Sequence, residues 1–284
     1  MRLLTRGSPL NLRNLLFRMA PSVNQCGVFN REEDGAACYM HLTQRIGEDF
    51  VQFTYMVAPP EASEGALCRV LEALIRSAGG WGAHTLTCHL PVDSPFLPFF
   101  RRADFKVWAQ QRIYKLVGNP DARTSPRHAW RIWNGTDIRA MSSLYRSVVP
   151  TLLQSVEPMT LRRMLGLVLY DEKRLVAYAD LDYGPKGVFV LPFFHPDHGD
   201  AQMITDLLQS LPATLGRPVY LCARSYQPKV AHLLDQLPFQ SLPEDALLAR
   251  YMAVRAHAPG MESRPVFEKA TGEQGQPISP IIPR

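Results

Sequence analysis

The sequence predicts an α/β protein with a mixed, α+β type of sheet, built as two consecutive units of one design. Three observations carry this. Stretches with apolar residues at helical spacing alternate with short β-branched and aromatic runs. A polar, breaker-rich stretch, Gly118-Asn119-Pro120-Asp121-Ala122-Arg123-Thr124-Ser125-Pro126, interrupts the pattern near the middle. The element order before that stretch returns after it, with Leu71 matching Leu208 and Phe105 matching Phe239 at nearly the same offset.

Taken in order, residues 9–20 carry Leu12, Leu15, Leu16 and Met19 at helical spacing, and Pro21 ends the run. Strands are expected at Cys26–Phe29, Ala37–Gln44 and Phe50–Val57, the last stopped by Pro59-Pro60. Leu67, Val70, Leu71, Leu74 and Ile75 form a helix stripe closed by Gly79-Gly80. A strand at Thr85–Leu90, a short helix at Phe96–Arg102 and strands at Phe105–Trp108 and Arg112–Leu116 complete the first unit. Beyond the linker come a strand at Trp130–Trp133, a helix from Asp137 with Thr136 as N-cap, and a second helix at Glu157–Leu165. Strands at Leu167–Tyr170, Leu175–Asp182 and Gly187–Leu191 lead to a helix holding Met203, Ile204, Leu207 and Leu208. Strand Val219–Ala223, helix Pro228–Leu237 and strand Ala246–Val254 finish the second unit. These limits give a first domain at 1–117, a linker at 118–128, a second domain at 129–256 and a tail at 257–284. The tail is rich in Pro, Gly and polar residues without periodicity and is expected to be disordered.

Composition narrows the function classes. A hydrophobic share of 46% with 20% charged residues is that of a folded globular chain. No uncharged apolar run approaches the roughly 18 residues of a membrane span, so no membrane role is expected. The net charge of +5 is mild, and its arginines are scattered apart from Arg101-Arg102 and Arg162-Arg163, so nucleic acid is not an expected partner. Five cysteines without a C-x-x-C fit reduced, structural thiols and a cytoplasmic setting. The first acidic residue is Glu32, and an Arg-rich amphipathic start reads either as a transit peptide or as an ordinary packed helix. The repeat favours the helix. No nucleophile elbow or Walker loop is present, and His195-Pro196-Asp197-His198 lacks a completing ligand set, so no metal is expected.

The order strand, two helices, three antiparallel strands, helix, strand, helix, two strands resembles the GNAT superfamily of acetyltransferases. The second unit matches nearly throughout; the first matches from its second helix onward, lacking its opening strand and helix. The whole looks like the tandem GNAT-fold proteins of some bacteria. The resemblance implies acetyl-CoA as cofactor and an amine as acceptor. It places the coenzyme's pyrophosphate at a Q/R-x-x-G-x-G/A loop opening a helix, where orphan N–H donors and the dipole favour an anion. That loop falls on Ala62–Leu67, giving Ser63, Gly65 and Ala66 as cofactor candidates, and on Gly199–Ile204, giving Gly199. Only Gly65 keeps a required glycine in the first loop, and the second loop keeps neither required small position. Glu61 and Glu64 flank the first loop, Asp197 and Asp200 the second, and neither loop supplies a cation of its own. Each carboxylate favours its helix start by about 0.3–1 kcal/mol and repels a nearby phosphate by about 1 kcal/mol.

The resemblance also places an acidic Tyr five residues before a G-F pair. Here those positions are Phe100 and Leu234, which carry no proton to give, and the Asn seven residues earlier becomes Asp93 and Gln227. Strand alternation puts Tyr178, Asp180 and Asp182 on one face, so Asp180 and Asp182 are the catalytic candidates for holding or deprotonating an amine. Tyr39, His41 and Thr43 form the matching face in the first unit. Two readings follow: an acyl-CoA-dependent N-acetyltransferase with degenerate motifs, or a non-catalytic pseudoenzyme that binds a protein or small ligand.

Overall fold

In the computed structural model the described residues are 4–5, 7, 23–31, 37–59, 62–118, 125–159, 165–212 and 216–252. The 9–20 helix and the tail from 257 lie outside them, as does residue 61. The first half contains β1 (Val23–Arg31), β2 (Ala37–Arg45), β3 (Phe50–Val57), α1 (Glu64–Gly80), β4 (Thr85–Pro91), α2 (Leu97–Arg102) and β5 (Lys106–Leu116). The second contains β6 (Arg131–Ile132), α3 (Ile138–Val148), β7 (Gly166–Asp171), β8 (Arg174–Gly184), β9 (Gly187–Phe194), α4 (Ala201–Gln209), β10 (Val219–Arg224), α5 (Pro228–Asp235), β11 (Phe239–Ser241) and β12 (Asp245–Tyr251). Both halves thus run through three antiparallel strands, a helix, a strand, a helix and a closing strand. Among the described residues the first half has no counterpart of β6 and α3.

Local chemistry explains the boundaries. Ser63 caps α1, its hydroxyl accepting from Ala66 N–H at 3.1 Å, and Asp200 caps α4 by accepting from Met203 N–H at 2.7 Å. Before α3 the cap is Asn134 rather than the expected Thr136. Asn134 and Asp137 form a reciprocal capping box around a single 3₁₀ turn. The helix expected over Glu157–Leu165 is not present at residues 157–159, which form turn and loop, and residues 160–164 lie outside the described part. Pro150 and Pro158 bracket this connection.

All strands belong to one sheet ordered β1-β2-β3-β4-β12-β5-β10-β9-β8-β7-β6, with β11 also pairing β5. The joining is an exchange. Strand β12, the last of the described strands, lies between β4 and the first part of β5, antiparallel to both. The second part of β5, Gln111–Leu116, lies between β10 and β11. Each half therefore receives a strand from the other. The cause is legible in β5, which has no Gly, Pro, Asn or Asp between Lys106 and Leu116 and so cannot turn back into its own half. The two strands expected at Phe105–Trp108 and Arg112–Leu116 are one strand. One irregularity interrupts it: Leu247 faces Ala109 while Leu248 faces Val107, leaving Trp108 as a bulged residue.

Three apolar clusters hold the layers. One lies under α1 and α2 and takes in Ala246 and Leu248 from β12. A second lies between α4, α5 and the second half of the sheet, and includes Tyr114 of β5. A third lies on the opposite face, beneath α3, with Tyr178, Phe189 and Phe193. Leu247 and Leu248 are fully buried, and each such leucine contributes about 1.5–3 kcal/mol. The exchange is therefore well supported by packing. The described residues belong to one compact unit.

Candidate functional site

Two of the sheet's strand pairs are parallel, and both are short. Strand β3 meets β4 only at Phe50, Val51 and Gln52, opposite Thr85, Leu86 and Thr87. Strand β9 meets β10 only at Val188–Val190, opposite Val219–Leu221. Beyond these pairs each ladder ends, so backbone groups there need other partners. The carboxyl ends of parallel strands are also where ligands bind in open α/β sheets. A cavity of about 90 Å³ lies against both points of divergence, lined by Gln52, Thr87 and His89 from the first half and Tyr178, Asp180 and Arg224 from the second. It shares Phe50, Pro158 and Met159 with a groove of about 610 Å³ that carries Glu48 and Asp49.

An ion-pair network forms one wall. Glu157 lies in the loop after α3, and its Oε1 accepts from Arg224 Nε at 2.9 Å and Nη2 at 2.6 Å. Tyr226 donates its hydroxyl to Glu157 Oε2 at 2.9 Å, and Tyr145 donates to the Glu157 backbone oxygen at 2.5 Å. Arg224 also donates to Gln111 Oε1, whose amide nitrogen donates to Asp245 at 2.9 Å. Only 2% of the Arg224 side chain is exposed. Coulombic and hydrogen-bonded contact with Glu157 holds the guanidinium charged against the desolvation that burial imposes. Burial, followed by the Arg224 charge, pushes the pKa of His89 well below the usual imidazole value. At neutral pH His89 is therefore an uncharged base beside a cation. Burial raises the Tyr178 phenol well above its ordinary value, so it keeps its proton; its ring stacks on Phe193 at 4.6 Å.

Asp180 lines the cavity. Asp182, on the same strand face, is half-buried and outside the lining. In the first half His41 and Thr43 are buried, with His41 Nδ1 2.6 Å from Thr54 Oγ1. His89, Trp108, Glu157 and Arg224 were not singled out from sequence. The alternation Thr85, Thr87, His89 on one face of an otherwise apolar strand is the signal that was there to read. Glu157 and Arg224 approach only in three dimensions.

The helix starts differ from the sequence reading. Residues Glu64–Leu67 are already helical, so Gly65 and Ala66 lie in the first turn of α1, with Ser63 as its cap. Arg102 of α2 binds Glu64 through two bonds of 2.9 and 3.1 Å, so a neighbouring helix supplies the cation the loop itself lacks. Helix α4 begins at Ala201 behind its cap Asp200, which makes His195–Asp200 the preceding loop and leaves Gly199 within it. Gly199 has φ +124°, a region that favours glycine. Lys229 of α5 reaches this loop, donating to Pro196 O at 3.3 Å. Gln227, before α5, is buried, and its amide nitrogen and oxygen have no hydrogen-bond partner among the described residues. An acyl-CoA group of the kind the sequence resemblance implies would have Gly199, Lys229 and the orphan Gln227 amide of the second half to hold it, with Asp200 as the discordant charge. Both helix starts are side-chain capped, α1 by Ser63 and α4 by Asp200; the second half adds Gly199, Lys229 and the orphan Gln227 amide, and so fits it better.

At the other end of this loop, His195 Nε2 is 2.6 Å from Arg174 Nη2. Among the described residues no group of three or more His, Cys, Asp or Glu side chains is arranged to hold a metal. Nor is any described helix long and apolar enough to cross a membrane.

No protein-family model matches the sequence, and no curated protein matches it. Solved structures match the fold. A GCN5-related N-acetyltransferase from Sphaerobacter thermophilus is 14% identical with a TM-score of 0.56, covering 86% of this chain and 87% of that one. A GCN5-related N-acetyltransferase from Kribbella flavida is 11% identical with a TM-score of 0.54, covering 84% and 93%. A functionally unknown conserved protein from Staphylococcus epidermidis is 13% identical with a TM-score of 0.52, covering 80% and 95%. With the element order present twice and these neighbours spanning both halves, the chain is a tandem GNAT-fold protein.

Proposed function

We propose that the chain is an acyl-CoA-dependent N-acyltransferase whose acceptor amine binds in the cavity between its halves, taken as 1–117 and 129–256. The observation that carries this is the meeting, at both points of strand divergence, of the Asp180 carboxylate and a neutral His89. Gly199, Gln227 and Lys229 would hold the coenzyme, which when bound supplies an acyl thioester to the amine. Asp180 attracts the substrate ammonium, and Asp182 adds negative potential from the same strand. His89, uncharged at neutral pH, offers its lone pair as a hydrogen-bond acceptor for the amine N–H; its lowered pKa suits it to accepting that bond rather than to stripping an ammonium of its proton. The Arg224–Glu157 pair fixes the loop that closes the cavity. The reading rests on acetyl-CoA binding with an affinity that Gln227→Leu reduces roughly tenfold. It also expects Asp180→Asn to lower acyl transfer at least about 100-fold with coenzyme affinity unchanged. Calorimetry and a thiol-release assay over a panel of amines check both, and no heat with acetyl-CoA would overturn the assignment.

A second reading is favoured by one observation. Phe100 and Leu234, at the positions where a proton-donating Tyr is expected, are fully buried in apolar clusters. On that reading the chain is a pseudoenzyme that binds an amine-bearing ligand in the same cavity. It predicts ligand binding without acetyl-CoA binding or turnover.

A further inference from the structure

We infer that the cavity takes an amine with an uncharged acceptor oxygen a few bonds from its amino group, and that Trp108 of the first half reads that oxygen. This deepens the acceptor site proposed above and rests on it. Trp108 lines the cavity, and its indole N–H is buried with no hydrogen-bond partner among the described residues. Buried donors are nearly always satisfied, and one left over beside a cavity points to a ligand acceptor. The backbone supports this reading. Trp108 is the bulged residue between Val107 and Ala109, and bulges beside sites re-aim a side chain.

Several neighbouring donors are already committed. Arg224 serves Glu157 and Gln111, Tyr226 and Tyr145 serve Glu157, and Thr87 Oγ1 donates to Val51 O at 3.3 Å. Size and charge then narrow the ligand. At about 90 Å³ the cavity is smaller than the roughly 150 Å³ that holds one benzene, so only a head of a few atoms enters. The oxygen must accordingly lie close to the nitrogen. Arg224 is paired with Glu157, while the adjoining groove carries Glu48 and Asp49 and no Lys or Arg among its described lining residues. A carboxylate or phosphate on the ligand would be repelled. The class that fits is the small β-oxygenated amine, such as an amino ether, amino alcohol or amino amide, rather than a free amino acid.

The isosteric pair 2-methoxyethylamine and n-butylamine tests this, because they differ by one oxygen for one methylene. Each is titrated by NMR into the full-length protein and its Trp108→Phe variant, which keeps the ring stem and removes the N–H. The wild type is expected to prefer the ether about five- to tenfold, one neutral hydrogen bond's worth. The variant should bind both equally, its retained n-butylamine affinity showing that the site is folded. Equal affinities in the wild type, or a preference that survives in Trp108→Phe, would overturn the role of Trp108 and leave the amine site standing. Binding of neither amine by the wild type would overturn the acceptor site itself, and this inference with it.

Discussion

The two halves share a topology and divide its chemistry. In the second half, the sheet face bearing Tyr178, Phe189 and Phe193 is apolar because α3 packs on it. In the first half, where the described residues have no counterpart of α3, the matching face carries His41, Thr43, Thr85 and Thr87. Those side chains are buried, and His41 and Thr87 have partners at 2.6 and 3.3 Å. The ion pairs divide the same way. Glu64–Arg102 lies on the surface, 54% and 60% exposed, whereas Glu157–Arg224 is 15% and 2% exposed. A duplicated fold thus keeps its helix-and-strand frame while the faces and ends of its strands change role. The first half has become one wall of the second half's site.

Cutting into the exchange should have the largest effect. Leu248 of β12 is fully buried in the first half's cluster, so Leu248→Asp strands a carboxylate in apolar surroundings. Destabilisation of about 4 kcal/mol or more is expected in urea titrations. Because β5 and β12 lock the halves together, amide protection should fall in both. Retained protection of β7–β10 in the variant would mean that the halves fold independently.

Next comes Arg224→Met, which leaves Glu157 partly buried without its cation. Breaking such a pair costs about 3 kcal/mol, and the loop at 154–159 should lose protection first. Glu157→Gln/Arg224→Met together should recover part of the loss, which a double-mutant cycle measures.

A pH effect follows from the second half's capping box. Hydrogen bonding from Arg131, opposed by desolvation and aided by Asn134 N–H and Tyr170, lowers the Asp137 pKa to about 2. A depressed folded-state pKa contributes stability above the unfolded value near 4, and that stability is lost as pH falls from about 4 to 2. Discounted for the 47% exposure of Arg131, it is about 1 kcal/mol. The stability of Asp137→Asn should therefore approach that of the wild type as the pH is lowered through this window. A constant difference from pH 5 to 2 would remove the charged form from the account.

The smallest effect should be that of Arg102→Met. Its pair with Glu64 is solvated, so the denaturation midpoint should not move measurably. A clear loss of stability there would mean that the first half depends on surface charge more than its burial suggests.

Much of this was readable before the structure. Hydrophobic period alone placed β3 at Phe50–Val57, the α1 stripe and the repeat, because a helix or strand must bury one face and the spacing of apolar residues records which. Alternation on β8 also singled out Asp180, which does line the cavity. Other features were legible only in part. The long β5 is written in its lack of turn residues, but nothing local says which strands will flank it. The capping residue of the helix before α3 moved by two positions because Asn134 and Asp137 close a reciprocal box. The cation beside Glu64 was invisible in the loop because Arg102 comes from another helix.

What the sequence by itself determined is the set of elements and their order, since those depend on neighbours within a few residues. The tertiary structure alone decided the exchange of β5 and β12 and the register that makes Trp108 a bulge. It alone also decided the meeting of His89, Asp180, Glu157 and Arg224 around one cavity. The reason is physical: these contacts join residues far apart in the chain, whose loop-closure cost is repaid only when the whole sheet assembles. Backbone pairing accepts almost any side chain, so the partners of a strand are chosen by which edges are left open once the rest has packed.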